Sequence, residues 1–217
     1  MLLQFSFRWL RSLFVPPVII FLVLMLGSIL GSFGTAYYTF TSHIRGDLLW
    51  FENQYVELEF PRNWYGSSEE YLNSTYGNTF SAVFVAPNVF LYIGLTIYDE
   101  KATQTYTQMY NISDAHSMVQ FQIDKTYSII FPSNSNVTLV PLENGTISVS
   151  GYNADYSICL FENGYTENDV QKNVTYMVIF YVDKQQIVQI AFWGDEDEFE
   201  RSYSIFETFL YQMKVKT

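Results

Sequence analysis

The chain contains one uncharged hydrophobic run of 21 residues, from Leu13 to Phe33. It reads LFVPPVIIFLVLMLGSILGSF, and no Asp, Glu, Lys, Arg or His occurs between Arg11 and His43. A helix of this length rises about 31 Å, which matches the hydrocarbon thickness of a bilayer. We therefore predict a cytoplasmic N-terminus at 1–12, a transmembrane helix at 13–36, a juxtamembrane connector at 37–54 and an extracytoplasmic domain at 55–217.

The orientation of this helix follows from the basic residues beside it. Arg8 and Arg11 precede the run, whereas Arg45 is the first arginine or lysine after it. Because basic residues collect on the cytoplasmic side, the sequence predicts a single-pass protein of the cell membrane with its C-terminal domain outside. Two alternatives stay open: a cleaved signal peptide, and a pilin-type leader whose helix packs into a filament.

Small residues recur at four-residue spacing within the run. Gly27 and Gly31 form one such pair, and Ser28 and Ser32 form another. In lipid, small side chains allow a second helix to approach closely, and packing of this kind drives helix association. The spacing predicts that this helix packs against integral membrane proteins of a larger complex.

The formal charge of the whole chain is −11, and without Arg8 and Arg11 it is −13 (9 Lys and Arg against 22 Asp and Glu), which excludes some partners for the chain after the hydrophobic run. A domain this acidic is a poor ligand for nucleic acid or for an anionic lipid surface. Cys159 is the single cysteine, so no internal disulfide can form. It lies in an apolar segment, which predicts a buried, inert thiol.

Five Asn-X-Ser/Thr sequons follow the hydrophobic run, and they predict N-linked glycans on an outer domain. The acceptor residues are Asn73, Asn111, Asn136, Asn144 and Asn173. Asn144 precedes a glycine, and an Asn-Gly pair favours a tight, exposed turn.

Alternating and continuous apolar segments predict several strands. Val56, Leu58 and Phe60 alternate with Glu57 and Glu59, which is typical of a half-buried strand. Further strands are predicted at 80–85, 89–98, 137–142, 146–149, 154–161, 174–182 and 185–193.

Turn residues between these segments predict antiparallel hairpins. Asn144-Gly145 separates 137–142 from 146–149, Asn163-Gly164 closes the strand at 154–161, and Asp183-Lys184 joins the last two strands. Each connection is too short for a parallel crossover, so the sheet should be mostly antiparallel.

Two segments have helical periodicity. Ser113 is predicted to cap a helix that places Met118, Val119 and Ile123 on one face. A C-terminal helix is predicted from apolar side chains at helical spacing, with Asp195–Glu198 at its start, where acidic side chains complement the helix dipole. Its apolar face contains Phe199, Tyr203, Phe206, Leu210 and Met213. The expected fold is α+β, with helices packed on a mostly antiparallel sheet.

This element order resembles the PsbP-like family, named for an extrinsic subunit of photosystem II. Many members open with an alternating apolar strand followed by Pro, two residues and Trp. Here that pattern reads VELEFPRNW, from Val56 to Trp64. The resemblance covers about residues 48–216 and implies an α/β/α sandwich that stabilises or docks onto larger complexes. The anchor and the sequons depart from the photosynthetic members, so a photosynthetic role is not implied.

No residue pattern in the sequence predicts catalysis, a cofactor or a metal. His43 and His116 are the only histidines, whereas zinc sites need three or four suitable ligands. Asp114 beside His116 is interpreted as a helix cap, and Asp195–Glu198 as an acidic helix start rather than a calcium loop. Glu57 and Glu59 are expected to face solvent, and no GxSxG, HExxH or phosphate-binding loop occurs.

These observations predict a non-enzymatic protein. The leading expectation is an accessory or structural subunit of a membrane protein complex, anchored by one helix and covered by a glycosylated outer domain. The alternative is a free-standing cell-surface module that binds a sugar or an envelope protein. A filament subunit and a glycoside hydrolase are minor alternatives.

Overall fold

The computed structural model describes residues 35–37, 43–45, 48–131, 136–183 and 185–216. Within these ranges the strands are β1 (Thr35–Tyr37), β2 (His43–Arg45), β3 (Leu48–Glu52), β4 (Val56–Pro61), β5 (Tyr65–Tyr71), β6 (Thr79–Val85), β7 (Leu91–Tyr98), β8 (Thr138–Val149), β9 (Tyr152–Glu167), β10 (Val170–Val182), β11 (Ile187–Asp195) and β12 (Lys214–Val215). The helices are α1 (Glu100–Tyr110), α2 (Ala115–Ile130) and α3 (Glu196–Gln212). They belong to one compact unit, Ser32–Thr217.

The strands form two antiparallel sheets. The large sheet has the order β1-β5-β6-β7-β11-β10-β9-β8, and the small sheet has the order β12-β4-β3-β2. The described strand pairs are antiparallel throughout. The predicted α+β fold with an antiparallel sheet is therefore confirmed.

The two faces of the large sheet are covered by different elements. Successive side chains of a strand point to opposite faces, and Phe192 of β11 stacks on Phe206 of α3 with ring centroids 4.5 Å apart. On the same face, Phe60 of the small sheet lies 4.7 Å from Phe84 of β6. The opposite face contacts α1 and α2, where Tyr98 of β7 lies 5.4 Å from Tyr106.

Helix α3 confirms the periodicity of the C-terminal segment. Phe206 is 0% exposed, and Phe199, Phe209, Leu210 and Met213 are also buried. Asp195 caps the helix, because its side chain accepts hydrogen bonds from the backbone N–H groups of Asp197 and Glu198. The acidic run is thus the start of this helix, as predicted.

The small sheet is joined to the large one through a buried carboxylate. Glu70 of β5 is 2% exposed and accepts hydrogen bonds from Gln54 Nε2 at 2.6 Å and from the Tyr55 hydroxyl. Burial and the Glu70 carboxylate both raise the pKa of Tyr55. These contacts hold the β3–β4 turn against β5.

The predicted hairpin at Asn144-Gly145 is wrong. Asn144 and Gly145 lie inside the continuous strand β8, where Asn144 pairs with Ser157. The turn is at Ser150 and Gly151, which have φ values of 52° and 84°. A tight hairpin needs positive φ at both central residues, and this pair fulfils that requirement between Val149 and Tyr152, which face each other.

The end predicted for the next strand at Asn163-Gly164 is also wrong. Strand β9 continues past this pair to Glu167, and the reversal occurs at Asn168 and Asp169, both with positive φ. The register of β9 against β10 shifts between Lys172 and Val174, so that Asn173 of β10 lies opposite three residues of β9, 162–164. We infer that this bulge accommodates the positive φ of Asn163 within the ladder.

The helical face opposite α3 differs from the prediction in two ways. Helix α1 was not predicted, since it buries only Ala102, Thr103 and Tyr106 and so has almost no apolar stripe. Helix α2 is capped by Asp114 rather than Ser113, because the Asp114 side chain accepts from the Ser117 N–H at 2.8 Å.

The segment predicted as a connector contributes strands to the fold. Within 37–54, β3 pairs with β4 and β2 pairs with β3. Thr35 and Ala36, at the end of the predicted membrane span, belong to β1, which pairs with β5. The hydrophobic run 13–33, including Gly27, Ser28, Gly31 and Ser32, lies outside the described residues. No helix in the described part of the chain has the length and apolar character needed to cross a membrane.

Candidate functional site

The residues that could have held a metal have structural positions instead. The Asp114 carboxylate caps α2, and the hydrogen bond from the Ser117 backbone lowers its pKa. The Asp195 carboxylate caps α3 and also accepts a hydrogen bond from the Tyr165 hydroxyl at 2.9 Å. Among residues 48–131, 136–183 and 185–216, no group of three or more His, Cys, Asp or Glu side chains has a metal-binding arrangement.

Cys159 is buried in β9, as predicted. It is 1% exposed, and burial raises the pKa of its thiol to about 12. The thiol donates a weak hydrogen bond to the Tyr176 carbonyl at 3.6 Å. A thiol that stays protonated and inaccessible is a poor nucleophile.

Three tyrosine hydroxyls are buried beneath α1 and α2, and none was singled out from the sequence. Tyr98, Tyr106 and Tyr176 are each 2% exposed or less, and their hydroxyls have no hydrogen-bond partner among the described residues. Desolvation raises the pKa of all three. Thr126 and Gln122 lie near enough to Tyr176 to oppose the rise of its pKa. Their own hydrogen bond joins Gln122 Nε2 to Thr126 Oγ1 at 3.2 Å.

The five sequons occupy different environments. Asn111, Asn136 and Asn144 are exposed, whereas Asn73 and Asn173 are half-buried. The Asn73 side chain accepts from the backbone N–H groups of Thr75 and Tyr76. Asn173 is held more firmly, because its Nδ2 donates to Glu196 Oε2 at 2.9 Å and its Oδ1 accepts from the Asn163 N–H at 3.1 Å.

An open cleft of about 670 Å³ lies between β4, the β8–β9 turn and the end of α3. Its position follows from the backbone after the helix. Met213, the C-cap, has an extended conformation, and the chain passes directly into β12, where Lys214 pairs with Glu57 and Val215 with Val56. This exit brings the last turn of α3 beside β4.

Hydrogen bonds fix the far wall of the cleft to the same short strand. The Val215 N–H donates to Ser150 Oγ at 3.0 Å, and the Lys216 N–H donates to the Tyr55 carbonyl at 2.8 Å. The β8–β9 turn is therefore held to β12. Gly151, which follows Ser150 in this turn, would have no atom within 4 Å of an added Cβ.

The cleft combines an apolar floor with a polar rim. Leu58, Leu210 and Met213 form the floor, which is the edge of the packed core, since each is 3% exposed or less. The rim contains Glu57, Glu59, Ser148, Ser150, Gln212 and Lys214. An apolar base with a few polar groups is typical of sites that bind small molecules or short chains.

Lys214 provides the positive charge of the cleft. Its Nζ lies 3.2 Å from Glu57 Oε1. Lys214 is exposed and Glu57 is half-buried, so the pair contributes little to stability, but the lysine offsets the charge of Glu57. Glu57 and Glu59 project from the same face of β4, as the alternation predicted, and that face forms the wall of the cleft.

Two residues of the last helical turn complete the site. Tyr211 lines the cleft and is 90% exposed. The Gln212 Oε1 atom is buried and has no hydrogen-bond partner among the described residues. Neither residue was predicted, although Tyr211 could have been noticed as an aromatic residue outside the apolar stripe of α3.

Neither a known protein-family profile nor a curated protein matches this sequence.

Among solved structures, the chain is similar to a protein from Bacteroides thetaiotaomicron, with 9% identity and a TM-score of 0.40 over 75% of this chain and 45% of that one. It is also similar to the cyanobacterial PsbP protein (CyanoP) of Synechocystis sp. PCC 6803, with 14% identity and a TM-score of 0.46 over 86% of this chain and 99% of that one. A third similar structure is LpqN of Mycobacterium tuberculosis, described as involved in cell envelope biogenesis, with 10% identity and a TM-score of 0.38 over 75% and 83%. These structures include the PsbP-like fold that the sequence resembles. Scores below 0.5 assign neither a family nor a function to this chain.

Proposed function

We propose that this chain is a membrane-anchored, non-catalytic binding protein whose outer domain holds a ligand in the cleft between β4, the β8–β9 turn and α3. The observation that carries the proposal is the cleft itself, with its apolar floor, its polar rim and the exposed ring of Tyr211. The anchor is the hydrophobic run 13–33, read from the sequence.

The chemistry of the cleft favours binding over catalysis. Glycoside hydrolysis uses one carboxyl group with a raised pKa and a second that remains ionised, placed on either side of the scissile bond. Here both glutamates lie on one wall of the cleft, and Glu57 is paired with Lys214. Nucleophilic catalysis would need a base beside Ser148 or Ser150, and no histidine lines the cleft.

The second candidate is an accessory subunit of a membrane protein complex. It is favoured by Gly27, Ser28, Gly31 and Ser32, whose spacing predicts close packing against another membrane helix. Under this function the N-terminal helix carries the interaction, and the outer domain covers the complex from outside.

Hydrogen exchange tests the proposed function without knowledge of the ligand. Backbone exchange in the full-length protein would be measured by mass spectrometry, first in native membranes and then after purification. We expect protection of 148–151 and 210–214 in native membranes, and its loss on purification, because a bound ligand restricts local opening. Identical exchange in both preparations at these segments would contradict the proposal.

Native gel separation after mild-detergent extraction distinguishes the two candidates. A binding protein with a simple tether should migrate alone, whereas an accessory subunit should migrate with a defined set of integral membrane proteins. In the second case, Gly27→Leu together with Gly31→Leu should release the chain, because the larger side chains prevent close helix approach. The control variant, Leu22→Ile together with Leu26→Ile, adds no bulk and should leave migration unchanged.

A further inference from the structure

The charged side chains that line the cleft are two glutamates and one lysine, with a formal sum of −1. Two glutamates, Glu57 and Glu59, line the β4 wall, and the Lys214 ammonium lies 3.2 Å from the first of them. A cationic ligand would have to compete with this internal cation, and an anionic ligand would meet two carboxylates. A neutral ligand meets neither cost.

The polar groups of the rim can both donate and accept hydrogen bonds. Ser150 Oγ already accepts from the Val215 N–H, so its own hydroxyl hydrogen is available to a ligand. Ser148 is exposed on the same rim. Gln212 also lines the rim, but its Oε1 atom is buried and out of reach of a ligand in the cleft. Groups that donate and accept at once, such as alcohols, match this set.

An aromatic ring beside these polar groups adds a second requirement. Tyr211 is 90% exposed, which is the highest value among the large apolar and aromatic side chains in the described part of the chain. Tyr65, the next, is 59% exposed. A flat ligand face of C–H groups can cover such a ring and remove its surface from water.

We propose that the cleft binds a neutral saccharide chain, with one sugar ring packed on Tyr211 and its hydroxyls bonded to Ser148 and Ser150. A pyranose has one face of C–H groups and an edge of hydroxyls, so it fulfils both requirements. The volume of about 670 Å³ lies within the usual range for ligand sites. This inference rests on the proposed binding function and specifies the ligand of the same site.

Binding to defined oligosaccharides tests the inference. The full-length chain would be placed in phosphatidylcholine nanodiscs, since maltoside detergents carry sugar head groups. Isothermal titration would use cellohexaose, maltohexaose and chitohexaose as probes. We expect at least one of them to bind, and Tyr211→Ala to weaken that binding by about tenfold or more, because the ring loses its contact. Tyr65→Ala, at an exposed tyrosine of β5 that does not line the cleft, is the matched control and should bind as wild type.

Salt dependence and hydrogen exchange separate the possible outcomes. Saccharide binding that persists unchanged in high salt and depends on Tyr211 supports the inference, because neutral ligands are not screened. If none of the three probes binds while the cleft stays protected in native membranes, the ligand is not a saccharide of this kind. The inference is then overturned, and the proposed binding function stays in place. Salt-sensitive binding of a lysine-rich peptide instead would also overturn it. Absence of both binding and protection overturns the inference together with the function.

Discussion

Gly194 lies where β11 passes the backbone of β7. A Cβ added at this position would lie 2.4 Å from the Phe90 carbonyl oxygen and 3.0 Å from Leu91 Cα. The same carbonyl accepts a hydrogen bond from the Asp195 N–H at 2.8 Å. The backbone therefore cannot move away without losing the hydrogen bond made by Asp195, the N-cap of α3.

Gly194→Ala should lower the free energy of unfolding by about 3 kcal/mol, at the upper end of the usual cost of overpacking. Gly145→Ala is the matched control in β8. Its added Cβ would lie 3.1 Å from Tyr156 Cε1, and a half-exposed ring can shift, so the cost should be below about 1 kcal/mol. Urea unfolding of both variants measures the difference. Equal losses in the free energy of unfolding would show that the backbone at Phe90 moves as readily as the Tyr156 ring.

The sequons allow a second prediction at the residue scale. Asn144 is exposed in the middle of β8, and Asn173 is half-buried with its Nδ2 bonded to Glu196. A glycan replaces one of the two hydrogens of that nitrogen, and its bulk at this half-buried position would crowd the Glu196 side chain. Expressed in a glycosylating secretory pathway, Asn144 should be occupied and Asn173 should remain unmodified in the folded protein. Peptide mapping with enzymatic deglycosylation checks both sites, and a fully occupied Asn173 would contradict the arrangement of this bond.

Among the elements, each of the three described helices begins with an aspartate, Asp99, Asp114 or Asp195, whose side chain accepts hydrogen bonds from backbone N–H groups. Asp114 caps α2 from an exposed position, whereas Asp195 caps α3 and is also bonded to Tyr165. A carboxylate at this position satisfies donors that the helix leaves free and complements the helix dipole. Charge at the cap makes helix stability depend on pH.

Asp114→Asn isolates this pH dependence, because asparagine is also a good N-cap but carries no charge. The pKa of Asp114 is lowered from 3.8 by the Ser117 N–H bond. The stabilisation is therefore present above about pH 4 and is lost as the pH falls through the lower, folded-state pKa. The wild type should be more stable than the variant at pH 7, by less than about 1 kcal/mol because the site is exposed.

Thermal unfolding across the acid range tests the cap. The difference between wild type and Asp114→Asn should shrink as the pH falls below about 4 and disappear in stronger acid. Asp114→Ala, which removes the cap, is the control and should be less stable than Asp114→Asn at every pH. A difference that stays constant with pH would show that the charge of Asp114 makes no contribution.

At the scale of the whole molecule, aromatic side chains fill both interiors of the sandwich. The chain contains 19 phenylalanines and 18 tyrosines. Phenylalanines, such as Phe192 and Phe206, meet on the α3 face, whereas Tyr98, Tyr106 and Tyr176 lie under α1 and α2. The tyrosine side therefore contains phenol groups that can ionise only at a high cost in free energy.

Alkaline unfolding should follow from these buried phenols. Burial raises the pKa of Tyr98, Tyr106 and Tyr176 above the ordinary value of 10.0. Their contribution to stability is complete below pH 10 and is lost as the pH rises, because the unfolded chain ionises first. Tyr106→Phe should reduce this loss, whereas the exposed Tyr211→Phe should not.

Tyrosinate absorbance and circular dichroism followed together provide the measurement. We expect exposed tyrosines to ionise first, and the remaining phenols to ionise cooperatively with loss of the fold. Gradual ionisation of every tyrosine with the circular dichroism signal intact would contradict the burial of these three side chains.

The cleft and its wall could be predicted only in part from the sequence. Alternation in β4 correctly placed Glu57 and Glu59 on the face opposite the core. Tyr211 and Gln212 could not be assigned, because their role depends on where the chain goes after α3. The exit through Met213 into β12 brings residues more than 150 positions apart into one site, and no local pattern encodes that approach.

The sequence by itself determined the elements whose side-chain period is strong. Strand β4 and helix α3 follow from burial on one face, which is a local property of the spacing of apolar residues. The antiparallel α+β class follows from short connections between β-rich segments. The hydrophobic run 13–33 and its predicted anchor are likewise properties of the sequence.

The tertiary structure alone decided which turn residues reverse the chain. Asn144-Gly145 and Ser150-Gly151 can both adopt positive φ, so local preference does not separate them. Pairing of the whole β8 with β9 places the Tyr156 ring over Gly145 and leaves Ser150-Gly151 to form the turn. Pairing along the whole of both strands forms more contacts than a turn at either position. The Ser150-Gly151 turn that results also lines the cleft.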